Sequence, residues 1–341
     1  MEFGLSDDQK MLEDSLRGFL AGKLSLDRLR KIAETGQGFD LELWTGLVRQ
    51  GITGLVVAER YGGVGLSVLD AAVVAESLGY HAVPAPFAAS IVMAPLALML
   101  NGTGNQQSEW LPRIAGGEVR MGLGFAGGSG QTGEATARLD GGRLSGQVTG
   151  ALDCGSATHF LVYLADGRVA FVGAGDTGVN ATVYRSLDRT RPVTDLAFDN
   201  AEAVILDAAN DPEAARVRVL DAGRVMLAAD TLGAAQAMFD KALAYSKERV
   251  QFDRVIGSFQ GVKHTLADIV TMLEPCRALI WFAAHAQDSL PDESRLAALQ
   301  AKAHLGDVGR EVARLSTEVH GGMGFTELLG LHYWLKRIAF N

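Results

Sequence analysis

The chain has 341 residues, too many for one simple hydrophobic core, so two or three packed units are expected. Hydrophobic residues make up 48% and charged residues 21%, the balance of a globular protein and not of a disordered one. A formal net charge of −9 argues against nucleic acid as the main partner, although a local basic site can still hold an anionic ligand.

The N-terminal stretch MEFGLSDDQKMLEDSL is acidic and helix-forming, unlike a signal peptide. Ser6 stands where a helix cap belongs, Asp7 and Asp8 occupy the first turn, and Leu12, Leu16, Phe19 and Leu20 share one face. A second helix is expected over about 41–51, with Leu43, Leu47 and Val48 inward. Gly62, Gly63 and Gly65 then require a loop. Lacking a strand-to-helix context and a later acidic partner, they make no phosphate-cradling motif. A helix over 69–80 follows and is stopped by Pro84 and Pro86; another covers 88–100. Its apolar run, IVMAPLALML, is too short to cross a bilayer and contains Pro95, so no membrane span is expected.

From about Arg120 to Leu206 the pattern changes to short alternating apolar runs separated by Gly, Asp or Asn pairs. That spacing predicts a compact antiparallel barrel or sandwich, taken here as a barrel. Beyond it, Val225, Ala228, Ala229, Leu232, Ala235, Phe239 and Ala242 recur at helical spacing. Val262, Leu266, Ile269, Val270 and Leu273 form the next stripe, 296–315 a third, and 331–340 begins a fourth helix. Four helices with short connections predict an up-down bundle. The expected architecture is α+β: an N-terminal helical domain (1–118), a middle antiparallel β-barrel domain (119–206) and a C-terminal four-helix bundle (207–341). Cys154 and Cys276 have no metal-ligand spacing and form no disulfide framework, which fits a reducing cytoplasm.

The segment KERVQFDRVIGSFQGVKHTLADI, residues 247–269, leaves one helix, crosses a short break and enters another. Arg249 suits a diphosphate, Phe252 and Phe259 can cover flat rings, and Gln251, Gln260 and His264 offer polar edges. On composition alone it is a helix–loop–helix corner with an aromatic plug. At 320–327 the chain reads HGGMGFTE, where a helix C-cap needs only one glycine. Gly321 and Gly322 together, with Gly324 two residues on, exceed that need.

These two stretches resemble the R-x-Q-F-G-x-P-I-G-x-F-Q-x-x-x-H and His-Gly-Gly signatures of the acyl-CoA dehydrogenase family of flavoproteins. Further resemblances are AERYGGVG, ESLG and LPRIAGGE in the first third and the D-x-T-R step at Asp188–Arg191. The resemblance covers about Phe3 to Phe340. It implies FAD held between subunits by Arg249, Gln251, Phe252, Phe259, Gln260, His264, Gly321 and Gly322, an acyl-CoA substrate oxidised to the α,β-enoyl-CoA, and an electron-transfer flavoprotein as acceptor. In the middle third the family's flavin loops are replaced by GFAGGSGQTGE and ALDCGSATH, which leave Ser129, Thr132, Ser156 and Thr158 as flavin-edge candidates.

The family removes the substrate's α-proton with a glutamate at one of two places. One lies beyond Asn341; at the other, in a pattern like L-D-x-E-R, this sequence has Leu220-Asp221-Ala222-Gly223-Arg224. Asp221, about 200° round the helix from Gly223, and Glu327 are weak candidates for the base. The preferred expectation is one subunit of a hetero-oligomer, a heterotetramer resembling those that act on steroid-type acyl-CoAs, whose second acyl-CoA dehydrogenase-like subunit supplies the glutamate. A non-catalytic scaffold or regulatory subunit is the alternative. A flavin monooxygenase or nitroalkane oxidase on the same fold is a third.

Overall fold

A computed structural model describes residues 4–126 and 136–341. Packing divides the chain into two compact units that cut across the three stretches separated by secondary-structure type. One comprises Met1–Arg30, Ala72–Val83 and Arg224–Asn341; the other comprises Lys31–Ala71 and Pro84–Gly223.

The first unit is helical. Helix α1 (Asp7–Lys23) opens with a complete capping box: Ser6 Oγ accepts from Gln9 N at 3.2 Å and Gln9 Oε1 accepts from Ser6 N at 3.0 Å. Such a cap contributes about 1 kcal/mol. Of the next three helices, α2 (Leu26–Thr35) and α4 (Val68–Tyr80) fall partly in this unit, and α3 (Leu41–Arg49) belongs to the second. The long helix α7 (Pro212–Glu248) buries Val225, Ala228, Leu232, Ala235 and Ala242 as their spacing predicts, and also Met226, Ala234 and Met238 on other sides. It is therefore central to its unit. Two glycines let α4 and α7 touch backbone to backbone. A Cβ on Gly79 would stand 2.0 Å from Asp230 O, and one on Gly233 would stand 1.8 Å from Glu76 O. Helices α8 (Gln260–Ser289) and α9 (Pro291–His320) pack as an antiparallel pair. On α8 Leu266, Ile269 and Leu273 are buried, while Val270 lies on the exposed side. The fourth helix, α10 (Leu331–Phe340), is short. It is tied down by Arg337, whose guanidinium makes a buried bidentate pair with Asp230 at 2.8 and 2.7 Å and also donates to Val83 O.

The second unit holds the strands. The helix expected over 88–100 begins as a π-helix, Ala88–Met93, and continues as α5 (Ala94–Asn101). Helix α6 (Gly104–Ala115), capped by Thr103 and Gln106, fills a stretch for which the sequence pattern predicts no helix. Strands β1 (Met121–Phe125), β4 (His159–Tyr163), β5 (Val169–Gly173) and β8 (Val204–Leu206) form one sheet in that order. Strands β2 (Arg138–Asp140), β3 (Arg143–Ala151), β7 (Val193–Glu202) and β6 (Val179–Tyr184) form the other.

The middle β unit is thus two open sheets sharing one core, a sandwich rather than the expected closed barrel. Leu144, Val148, Leu196 and Phe198 from one sheet pack with Phe160, Val162, Ala170 and Val172 from the other. Nor is it wholly antiparallel, because β1 and β4 run parallel, Met121 opposite His159. More than a dozen residues separate them, enough for a crossover that returns the chain in the same direction. Among the described residues one isolated bridge, Leu123 to Leu152, spans the sheets, and bulges interrupt β3 beside it. The alternating pattern is common to both forms, so it could not choose between them.

Candidate functional site

Residues 245–262 and 318–323 come together in a groove of about 760 Å3 on the helical unit. One wall is built at the end of α7. Arg249 N donates to Tyr245 O at 2.8 Å and Arg249 O accepts from Ile256 N at 2.8 Å, closing a hairpin of β9 (Val250–Gln251) and β10 (Arg254–Val255). Its two turn residues are Phe252 at φ +53° and Asp253 at φ +62°. Two left-handed residues give the twist a two-residue hairpin requires, but Asn-Gly is the usual choice. A phenylalanine there is strained, and strain of this kind gathers at functional sites. It leaves Phe252 86% exposed, edge-on to Phe259 at 6.1 Å, while the Arg254 guanidinium covers the Phe259 ring at 4.0 Å.

The other wall is the end of α9. Gly321 caps the helix at φ 57°, ψ −141°, a conformation essentially confined to glycine. Around both Gly321 and Gly322 the space a side chain would fill is open. His320 is buried, with Nδ1 2.7 Å from Ser316 O and its ring stacked 4.7 Å from Tyr245. Burial pushes its pKa down, which keeps the imidazole neutral. Glu318 is the one carboxylate among the residues lining the groove, and it is ion-paired with Arg314.

Of the residues singled out in the sequence, the structure brings Arg249, Gln251, Phe252, Phe259, Gly321 and Gly322 to this groove. Gln260 and His264 stand just outside it, exposed and one turn apart at the start of α8. Tyr245 was missed, although its place four residues before Arg249 puts it on the same helix face. Its partner His320 was read only as part of the glycine motif. The two candidate bases lie elsewhere. Asp221 is 1% exposed, lies inside α7 and is not without a partner. Glu327 is exposed beside His332 at 3.4 Å, and its backbone carbonyl accepts from Arg30.

In the sandwich unit, Thr158 is spent on structure: Oγ1 accepts from Arg120 N at 3.0 Å and donates to Arg120 O at 3.1 Å. Ser156 O accepts from Arg120 Nε at 2.8 Å. Ser129 and Thr132 lie outside the described residues. Gly223 is buried, and a Cβ there would stand 2.6 Å from Met93 Sδ and 2.7 Å from its Cε. The place of the expected glutamate is therefore already filled by a methionine that is itself 3% exposed. Among the described residues no group of three His, Cys, Asp or Glu can hold a metal ion, and no helix is long and apolar enough to cross a membrane.

A dinucleotide needs a cation for its diphosphate, apolar surface for its rings and backbone it can approach closely. The groove offers Arg249, which has no carboxylate partner among the described residues, two phenylalanines, and an open glycine pair. These residues fit such a group.

Comparison with known proteins gives the same direction. Residues 6–118 match the family model "Acyl-CoA dehydrogenase, N-terminal domain" and residues 213–340 match "Acyl-CoA dehydrogenase, C-terminal domain". The chain is 30% identical to acyl-CoA dehydrogenase FadE27 of Mycobacterium tuberculosis, over 86% of this chain and 82% of that protein. It is similar to the crystal structure of the ChsE4-ChsE5 complex of the same organism, with 27% identity, a TM-score of 0.89, and 99% and 93% of the two chains covered. It is also similar to a variant of the Tcur3481-Tcur3483 steroid ACAD, at 29% identity and a TM-score of 0.86, with 98% and 92% covered.

Proposed function

The chain belongs to the acyl-CoA dehydrogenase family of FAD-dependent oxidoreductases, and from that premise we propose that it is one subunit of a hetero-oligomer whose partner carries the proton-abstracting glutamate. When bound, FAD supplies the acceptor for the hydride that leaves the acyl β-carbon. The chain's own part is to bind and orient. Arg249 grips the diphosphate, Phe252 and Phe259 cover apolar ring surface, Gly321 and Gly322 allow the backbone close, and Gln251, Gln260 and His264 meet polar edges. The exposed, strained Phe252 supports a surface completed by another subunit.

The observation that carries the reading is the Gly223–Met93 contact. A general base must reach the proton it removes. At this position the chain has no carboxylate, and a buried methionine occupies the space. The other acids near the candidate sites are ion-paired, buried within α7, or exposed away from the groove. Two further similarities support a paired assembly and a ring-bearing substrate: one solved relative is a two-component complex and another is a steroid ACAD. We assign the acyl-CoA thioester as substrate, a heterotetramer as the assembly and an electron-transfer flavoprotein as the electron acceptor. Two unpaired, buried cysteines support a reducing, cytoplasmic setting.

The test is to purify the chain alone and together with a co-expressed second subunit, and to follow flavin absorbance and acyl-CoA oxidation in both. The chain alone should give no enoyl product, and the pair should give it. Full flavin occupancy with robust turnover by the chain alone would overturn the reading.

A further inference from the structure

A second, smaller cavity of about 220 Å3 lies within the helical unit and takes no part in the function proposed above. Leu24, Leu26, Leu29 and Ala237 give it an apolar lining, and Trp334 closes one side with its indole N–H donating to Tyr80 O at 2.8 Å. Its one cation is Lys241, whose ammonium stands 4.5 Å from the centre of the Trp334 ring.

The charge around Lys241 is unbalanced. Burial pushes its pKa down, and no carboxylate pairs with it among the described residues. The adjacent acid, Asp240, is already engaged, accepting from Tyr80 Oη at 2.9 Å and from Gln236 Nε2 at 2.9 Å. The other groups that feel the ammonium are His81 and His320, and its charge helps to hold both imidazoles neutral. Lys241 is half-buried, and an ammonium taken partly out of water is costly in proportion unless an anion or several hydrogen bonds face it. An aromatic ring offsets only part of that cost. The cavity can admit the missing anion, because a void of about 150 Å3 already takes up benzene.

We propose that this cavity is a binding site for a small monocarboxylate, its carboxylate paired with Lys241 and its hydrocarbon part lying against Leu24, Leu26, Leu29 and Trp334. Aryl and short-chain aliphatic acids fit the size and the lining; a dicarboxylate does not, because the cavity has one cation. Lys241 also links the cavity to the dinucleotide groove. Tyr245, one turn further along α7, stacks on His320 in the groove wall. An occupant is thus placed to change how rigidly that wall is held.

The experiment uses the full chain and needs no cofactor. Sodium benzoate and sodium butanoate are titrated by calorimetry and by thermal shift, with benzamide and sodium chloride at matched ionic strength as controls. The acids should bind saturably and raise the melting temperature, and the controls should not. Lys241→Met should weaken the acids by about tenfold or more, the loss of a hydrogen bond between charged groups. Ala237→Leu, which fills the cavity and keeps the cation, should abolish binding as well. Absence of saturable binding to the parent protein, or equal binding by either variant, would overturn the proposal. Either result leaves the assignment of the groove untouched, because no residue is shared by the two linings.

Discussion

Replacing Arg249 with alanine separates binding from folding. Its side chain is exposed and makes no ion pair among the described residues, and only its backbone closes the hairpin. Alanine keeps that backbone, so stability should stay within about 0.5 kcal/mol of the parent. On the proposed function, the guanidinium would face the diphosphate in the assembled complex. Loss of charge-assisted hydrogen bonds to a charged group costs about 1.5–3 kcal/mol, which is roughly ten- to 150-fold in affinity. The assay pairs a melting curve with a flavin-fluorescence titration of the complex. Flavin affinity should fall within that range and the melting temperature should not move. Unchanged affinity would show that the groove holds no dinucleotide. A large loss of stability would show that Arg249 is a structural residue and that this reasoning fails.

Three further outcomes follow from the packing. Gly233→Ala places a Cβ 1.8 Å from Glu76 O, a clash that no side-chain rotation relieves, so urea denaturation should show a loss of at least about 2–3 kcal/mol. Arg337→Met removes the cation from the Asp230 carboxylate at 2% side-chain exposure, leaving it the Asn341 amide, and should cost about 3 kcal/mol or more by the same measurement. His81 has its pKa lowered from 6.5 to about 4, by burial first and then by Arg17 and Lys241. The unfolded chain therefore binds the extra proton first. The stability this group contributes is present in full above about 6.5 and is lost as pH falls toward about 4. His81→Gln should flatten that acid limb in a series of melting curves. An unaltered limb would place the titration elsewhere.

The helices were legible where burial is one-sided or glycine and proline mark the ends, as at Ser6, at Pro84 and along Val225–Ala242. Helix α6 was hidden because Pro112 sits inside it. The sandwich was hidden because alternation along β7 reports which face is buried and not which strand lies beside it. Among the site residues, Arg249 and the glycine pair announce themselves by residue type. Tyr245 and His320 do not, because their role is a stacking contact between the ends of α7 and α9 that only the folded chain creates. Gly223 was readable as an absent acid, whereas Met93, 130 positions earlier in the sequence numbering, was not readable as its replacement.

The most direct measurement is a crystal structure of the assembled complex with flavin and an unreactive acyl-CoA analogue. The carboxylate within about 3 Å of the substrate's α-carbon proton should come from the other polypeptide, with Arg249 and Gly322 of this chain against the dinucleotide. A carboxylate from this chain in that position, whether Asp221, Glu318 or Glu327, would contradict the assignment.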